Sequence, residues 1–155
     1  MTLPWWNWHG TALPDMKGAV SITIPSHPKY LSVVRALTSR MAELADMPGP
    51  EVDKIRLAVD EACSNVIKYA YKGDTGRKIV VKFRVIRTGF EVVIEDTGEK
   101  TDPSFIAGRD LDDVRPGGLG IHLIKRAFDV FGFDEKKKKG NRLRLIRYKR
   151  GNNEN

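Results

Sequence analysis

Glu61 and Asn65 stand four residues apart in Glu61-Ala62-Cys63-Ser64-Asn65, which puts both side chains on one face of a helix. The carboxylate can accept a proton from a hydroxyl or orient it. The amide oxygen suits Mg²⁺, a hard ion that prefers oxygen donors. Polar residues at this spacing are more often an ordinary wet helix face, so the pair carries little by itself. A second group, Asp96-Thr97-Gly98, ends a run with Val92 and Ile94 at alternate positions. A carboxylate leaving a strand can accept hydrogen bonds from an exocyclic amine, and Gly98 lets the backbone approach a flat ring. An Asx turn explains the same three residues without a ligand. A third group is Gly117-Gly118-Leu119-Gly120, directly before an apolar helical period. Free N–H groups at a helix start point at an anion, and glycines let it come close. The run fits neither the P-loop nor the G-x-G-x-x-G pattern.

Other chemistries lack their residues. The sequence has no G-x-S-x-G and no C-x-x-C, and His9, His27 and His122 are not at metal-ligand spacing. Cys63 is the single cysteine, so no internal disulfide forms; a reducing compartment, the cytoplasm, is the expectation. A length of 155 residues fits one domain of about 100–200 residues. With 41% hydrophobic and 30% charged residues, the chain can bury a core and is not a disordered polyelectrolyte. No apolar run nears the roughly 20 residues of a membrane span, and Met-Thr-Leu-Pro-Trp-Trp-Asn-Trp lacks the basic flank and apolar stretch of a signal peptide. The net charge of +7 is concentrated: residues 134–155 hold nine basic and three acidic residues, the remainder 18 and 17. The basic character belongs to one strand and its turn, and a solvated strand face accounts for it better than a nucleic-acid surface.

The elements that must position these residues follow from periodicity. Residues 1–18 form an arm holding all three tryptophans. Alternation predicts strands over 19–24, 78–87, 90–96, 131–136 and 142–148. Helical spacing predicts helices from about Pro28 to Ala45, Glu51 to Tyr71, and Ile121 to Val130. Ser26 or His27 caps the first of these. The second carries the apolar stripe Ile55, Ala58, Val59, Ala62, Val66, Tyr69 and Ala70, beside a polar row of Glu61, Asn65, Lys68 and Lys72. Thr88-Gly89 joins a hairpin. Residues 97–117 have no period, and irregular stretches that long in a compact domain are usually functional.

Taken together and in this order, the three groups resemble the GHKL, or histidine-kinase-like, ATPases. The segment Ile55 to Val66 looks like the N box in the form used by anti-sigma-factor serine kinases, E-A-x-x-N. Asp96-Thr97-Gly98 is similar to the first glycine box, Gly118-Leu119-Gly120 to the second, and Gly140-Asn141-Arg142-Leu143-Arg144-Leu145 to the last, over roughly residues 19–148. The resemblance implies a Bergerat-type ATP-binding fold: an α/β two-layer sandwich with a mixed, mostly antiparallel sheet and helices on one face. It implies ATP and Mg²⁺, with Asn65 on the metal, Glu61 as general base and Asp96 on the adenine amine beside Gly98. It places the phosphates on the backbone at Gly118, Leu119 and Gly120, makes 99–116 a lid, and gives Arg109 and Arg115 a reach to phosphate. The implied activity is serine/threonine kinase action on a STAS-type anti-sigma-factor antagonist. Sigma-factor binding, partner switching and a homodimer come with it. Two positions depart from the pattern: Lys100 replaces a common glycine and Asn141 a common threonine. Two rivals remain, a nucleotide-binding module without phosphotransfer and a nucleic-acid binder using Lys136 to Arg150.

Overall fold

The computed structural model describes residues 18–101 and 118–151. The arm up to residue 17, residues 102–117 with Arg109 and Arg115, and the tail 152–155 lie outside the described residues. Strand β1 (Val20–Pro25) leads into a 3-10 turn (Pro28–Tyr30) and helix α1 (Leu31–Leu44). His27 is the cap, its Nδ1 accepting from the Lys29 N–H at 3.1 Å. Ser26 instead ties the strand end to the 74–77 turn, donating to the Asp74 carbonyl at 2.7 Å and accepting from the Arg77 N–H at 3.0 Å.

Helix α2 (Gly49–Asn65) starts with Pro50 in its first turn, where a missing N–H costs nothing. It continues into one π-helical stretch, Val66–Ala70. That wider winding buries Ile67 and Ala70 and turns Lys68 and Tyr69 to solvent, so Tyr69 leaves the apolar stripe. Lys72 leaves the polar row and pairs with Glu99 at 3.0 Å. Strands β2 (Lys78–Ile86) and β3 (Gly89–Glu95) form the hairpin. Helix α3 (Gly118–Ala127), β4 (Val130–Phe133) and β5 (Arg142–Tyr148) complete the chain.

The five strands lie in the order β1-β2-β3-β5-β4. Every pairing is antiparallel, whereas the sequence left room for a parallel pair. The reason is that β5 inserts between β3 and β4. Those two run the same way but never touch. The connection from β3 to β4 passes through α3, so α3 begins at the sheet end where β3 finishes. Strand β2 starts at that end too, since Val80 is opposite Glu95, and α2 delivers its last turn there. Topology alone thus gathers Asn65, Asp96 and the start of α3.

The core lies between one sheet face and the helices, with α2 packed against both α1 and α3. Ile79, Val81, Phe83, Phe90, Val92, Ile94 and Leu145 meet Val34, Ile55, Val59 and Ile124, all almost wholly buried. The other sheet face is covered by its own long side chains. Glu91 is 0% exposed, paired with Arg84 at 3.0 Å and Arg144 at 2.7 Å; Glu95 pairs with Arg142 at 2.7 Å. On the helix side, Arg147, opposite Phe90, reaches Glu51 of α2 at 2.6 Å, and Lys149 reaches Asp46 at 3.5 Å. Much of the C-terminal basic block is therefore spent on counter-ions within the fold. Losing one partner of a buried pair strands the other charge, at a cost of about 3–5 kcal/mol. Glu91→Gln is expected to lower the stability by about 3 kcal/mol, read as a lower urea midpoint at unchanged slope.

Candidate active site

Beyond Glu95 the chain keeps pace with β5 for one more residue. The Asp96 N–H donates to the Asn141 carbonyl at 3.0 Å, and the Asn141 N–H returns to the Asp96 carbonyl at 3.3 Å. The chain then turns, and Asp96 Oδ1 accepts from the Gly98 N–H at 2.9 Å, so the Asx turn is present. Asp96 is 3% exposed. Burial pushes its carboxyl above the ordinary aspartate value, against the opposing pull of donors from Gly98 and Asn141 and the charge of Lys137. Lys137 donates to the backbone carbonyls of Asp96 (2.8 Å) and Asn141 (3.1 Å); burial holds its ammonium below the usual lysine value, and the charge of Arg142 adds to that.

The other side of this loop rests on the π-helical stretch. A Cβ on Gly98 would collide with the Ala70 carbonyl, so only glycine lets the loop dock there. The Glu99 N–H donates to that carbonyl at 2.8 Å. The Tyr71 hydroxyl accepts from the Thr97 N–H at 3.0 Å and donates to the Lys78 carbonyl. Arg77 lies over the Tyr71 ring, 4.8 Å from its centroid, and donates to the Thr97 carbonyl and hydroxyl at 3.0 and 2.9 Å.

Between the loop and the helices is a cavity of about 210 Å³. Ile94, Ile121, Ile124, Phe131 and Leu143 give it apolar walls, while Asp96, Asn141 and Asn65 supply the polar groups. An apolar slot with a few convergent polar atoms is the usual form of a site for a flat ligand. Lys100 also lines it, and its Nζ donates to the Lys137 carbonyl. The lysine at the departing position is therefore held against the β4–β5 turn.

The last turn of α2 meets the first turn of α3 beside this cavity. A Cβ on Gly120 would lie 2.6 Å from Glu61 Oε2 and 3.6 Å from Asn65 Nδ2. Glycine at 120 is what lets the carboxylate and the amide come up against the α3 backbone. Gly118, Leu119 and Gly120 lie inside that first turn, not ahead of it, where backbone N–H groups have no helical partner. Cys63, between Glu61 and Asn65 in sequence, faces the core instead: it is fully buried, and burial, with help from Asp60, pushes its thiol up to about 12.

The donor set fits Mg²⁺. The ion keeps waters and substrate phosphates as most of its ligands and needs few protein oxygens. Asn65 offers one amide oxygen at the cavity, and Glu61 a carboxylate nearby. Among the described residues no group of three or more His, Cys, Asp or Glu is gathered to hold a metal unaided. No described helix is long and apolar enough to cross a membrane.

Of the residues singled out from sequence, Glu61, Asn65 and Gly120 come together, and Asp96 and Asn65 share the cavity. Arg115 lies outside the described residues. Sequence reasoning missed Lys137, for which a lysine run in a turn gave no signal. It flagged Asn141 only as a replacement for a common threonine in the last box and missed its reach to Asp96, Glu99 and Thr101.

Comparison with known proteins identifies the family of the chain. The family model described as "Histidine kinase-like ATPase domain" matches residues 24–147. The serine-protein kinase RsbW of Bacillus subtilis (strain 168) is 26% identical over 118 residues, covering 71% of this chain and 74% of its own. RsbW of Bacillus pumilus is 28% identical over 120 residues, with 71% and 74% covered. RsbW of Listeria innocua is 29% identical over 125 residues, with 76% and 80% covered.

Proposed function

Because the chain belongs to the histidine kinase-like ATPase domain family, we propose that it binds ATP in the cavity beside Asp96 and transfers the terminal phosphoryl group to a serine or threonine of a partner protein. The observation that carries this is the meeting of the Glu61 carboxylate, the Asn65 amide and the first turn of α3 around Gly120, beside the cavity that Asp96 also lines. The similarity to serine-protein kinases named RsbW supports the choice of a protein hydroxyl as acceptor.

In this reading Asp96 accepts from the adenine amine, and the walls from Ile94, Ile124 and Leu143 enclose the ring. The N–H groups of Gly118, Leu119 and Gly120 hold phosphate oxygens at the helix start, where the dipole favours negative charge. The Asn65 amide oxygen would hold Mg²⁺, which would supply positive charge to offset that of the phosphate oxygens. Glu61 orients the acceptor hydroxyl and takes its proton as the new oxygen–phosphorus bond forms and the bond to the β-phosphate oxygen breaks. Phosphoryl transfer depends mostly on positioning and charge stabilisation, and these groups supply both.

The partner class follows from the family resemblance: a STAS-type antagonist as substrate, a sigma factor as the alternative partner, with phosphorylation switching the kinase between them. A homodimer and a cytoplasmic location belong to the same proposal. The test is incubation of the purified chain with Mg²⁺, radiolabelled ATP and STAS-type proteins from the same genome. Label on a serine or threonine of one of them is the expected result. ATP binding without label on any of them overturns the kinase reading and leaves a nucleotide-binding module. Overpacking a tight contact costs about 1–3 kcal/mol, so Gly98→Ala, which pushes the Asp96 loop off Ala70, is expected to weaken ATP binding about tenfold by titration calorimetry.

A further inference from the structure

The structure assigns to Asn141 a positioning role that rests on the nucleotide-binding reading and deepens it: Asn141 links the base-binding carboxylate of Asp96 to the backbone of residues 99–101. Its side chain has four partners. The Nδ2 group donates to Asp96 Oδ1 at 3.1 Å, to Asp96 Oδ2 at 3.2 Å and to the Glu99 carbonyl at 2.8 Å. Oδ1 accepts from the Thr101 N–H at 2.8 Å. The residue is 5% exposed, so water does not compete for these bonds.

The inventory of hydrogen atoms makes the link directional. A carboxamide has two N–H protons, and here three acceptors share them. The amide orientation is set by all four partners at once, because the reverse would set Oδ1 against a carboxylate and Nδ2 against an N–H. When an exocyclic amine donates to Asp96, the carboxylate becomes a poorer acceptor for Nδ2. The Nδ2 group then engages the Glu99 carbonyl more fully, and an amide held there keeps Oδ1 seated on the Thr101 N–H. Threonine at this position has one proton on a shorter arm. It can serve Asp96 but cannot also span Glu99 and Thr101. Asparagine in place of threonine is therefore a gain of connection as well as a loss of a hydroxyl. Lys100 sits inside the held stretch and is fastened independently to the Lys137 carbonyl, which limits where 99–101 can move.

The experiment is amide hydrogen exchange at Thr101 in the full chain, with and without adenosine, which occupies the base site and brings no phosphate. In the wild type, adenosine is expected to slow exchange at Thr101 about fivefold, the effect of strengthening one hydrogen bond. In Asn141→Thr, with adenosine raised until it saturates the variant, the ligand is expected no longer to change exchange at Thr101. A purely structural asparagine would alter the basal rate and leave the adenosine effect in place. Adenosine bound by the wild type with no change at Thr101 overturns the proposal alone, as does an unchanged effect in Asn141→Thr. Should Asn141→Thr not fold, Asn141→Ser provides the same comparison. A folded wild type that binds neither adenosine nor ATP overturns the nucleotide reading itself.

Discussion

Glu61→Gln is expected to lower ATP-dependent phosphorylation of the partner by about 10²–10⁴-fold, the usual contribution of a positioned general base, and to leave ATP affinity within about twofold. Glutamine keeps the length and one acceptor oxygen of the side chain but cannot take up the hydroxyl proton. The contact with Gly120 makes the substitution a fair one, because the variant fills the same volume against the α3 backbone. Single-turnover labelling with saturating ATP isolates the chemical step, and calorimetry measures binding separately. A variant that labels its partner at the wild-type rate removes Glu61 from the mechanism.

Asp96→Asn is expected to weaken ATP binding by about 10–100-fold, since a hydrogen bond to a charged group contributes about 1.5–3 kcal/mol. The new amide also faces the Asn141 Nδ2 donor, so the loss is not confined to the ligand. The same carboxylate predicts a pH effect. Burial raises the Asp96 carboxyl above its ordinary value of 3.8, and the adenine amine needs the ionised form as acceptor. ATP affinity should therefore be full at neutral pH and begin to fall, as pH drops, earlier than an exposed aspartate would allow. In Asp96→Asn that dependence should be absent. Equal acid sensitivity in both proteins assigns the effect to another group.

The parts of this molecule that were legible from sequence are those written in local pattern. The 78–86 and 89–95 hairpin shows as two alternating runs around Thr88-Gly89. The stripe of Ile55, Ala58, Val59 and Ala62 predicts the buried face of α2. Glu61 and Asn65, four apart, had to share a helix face whatever the fold. What failed depended on distant contacts. The π-helical stretch after Asn65 exposes Tyr69, and no property of Val66 to Ala70 announces it; the docking of Ala70 against Gly98 accompanies it. The insertion of β5 between β3 and β4 is set by pairings about fifty residues apart in the chain, which no local window contains. Lys137 looked like part of a solvated turn because its partners, the carbonyls of Asp96 and Asn141, become neighbours only after that insertion.

That insertion also sets an order of events. Leu143 and Asn141 come from the last described strand and the residue before it, yet they wall the cavity that the first helices open. During synthesis the earlier strands can pair as a hairpin meander, but the pocket has no far wall until residues 141–143 have joined the sheet. A ribosome-bound fragment that stops before residue 141 would carry Glu61, Asn65 and Asp96 and still have nowhere to seat a purine. The proposed nucleotide site is therefore assembled only once β5 is in place, as a single late step of folding.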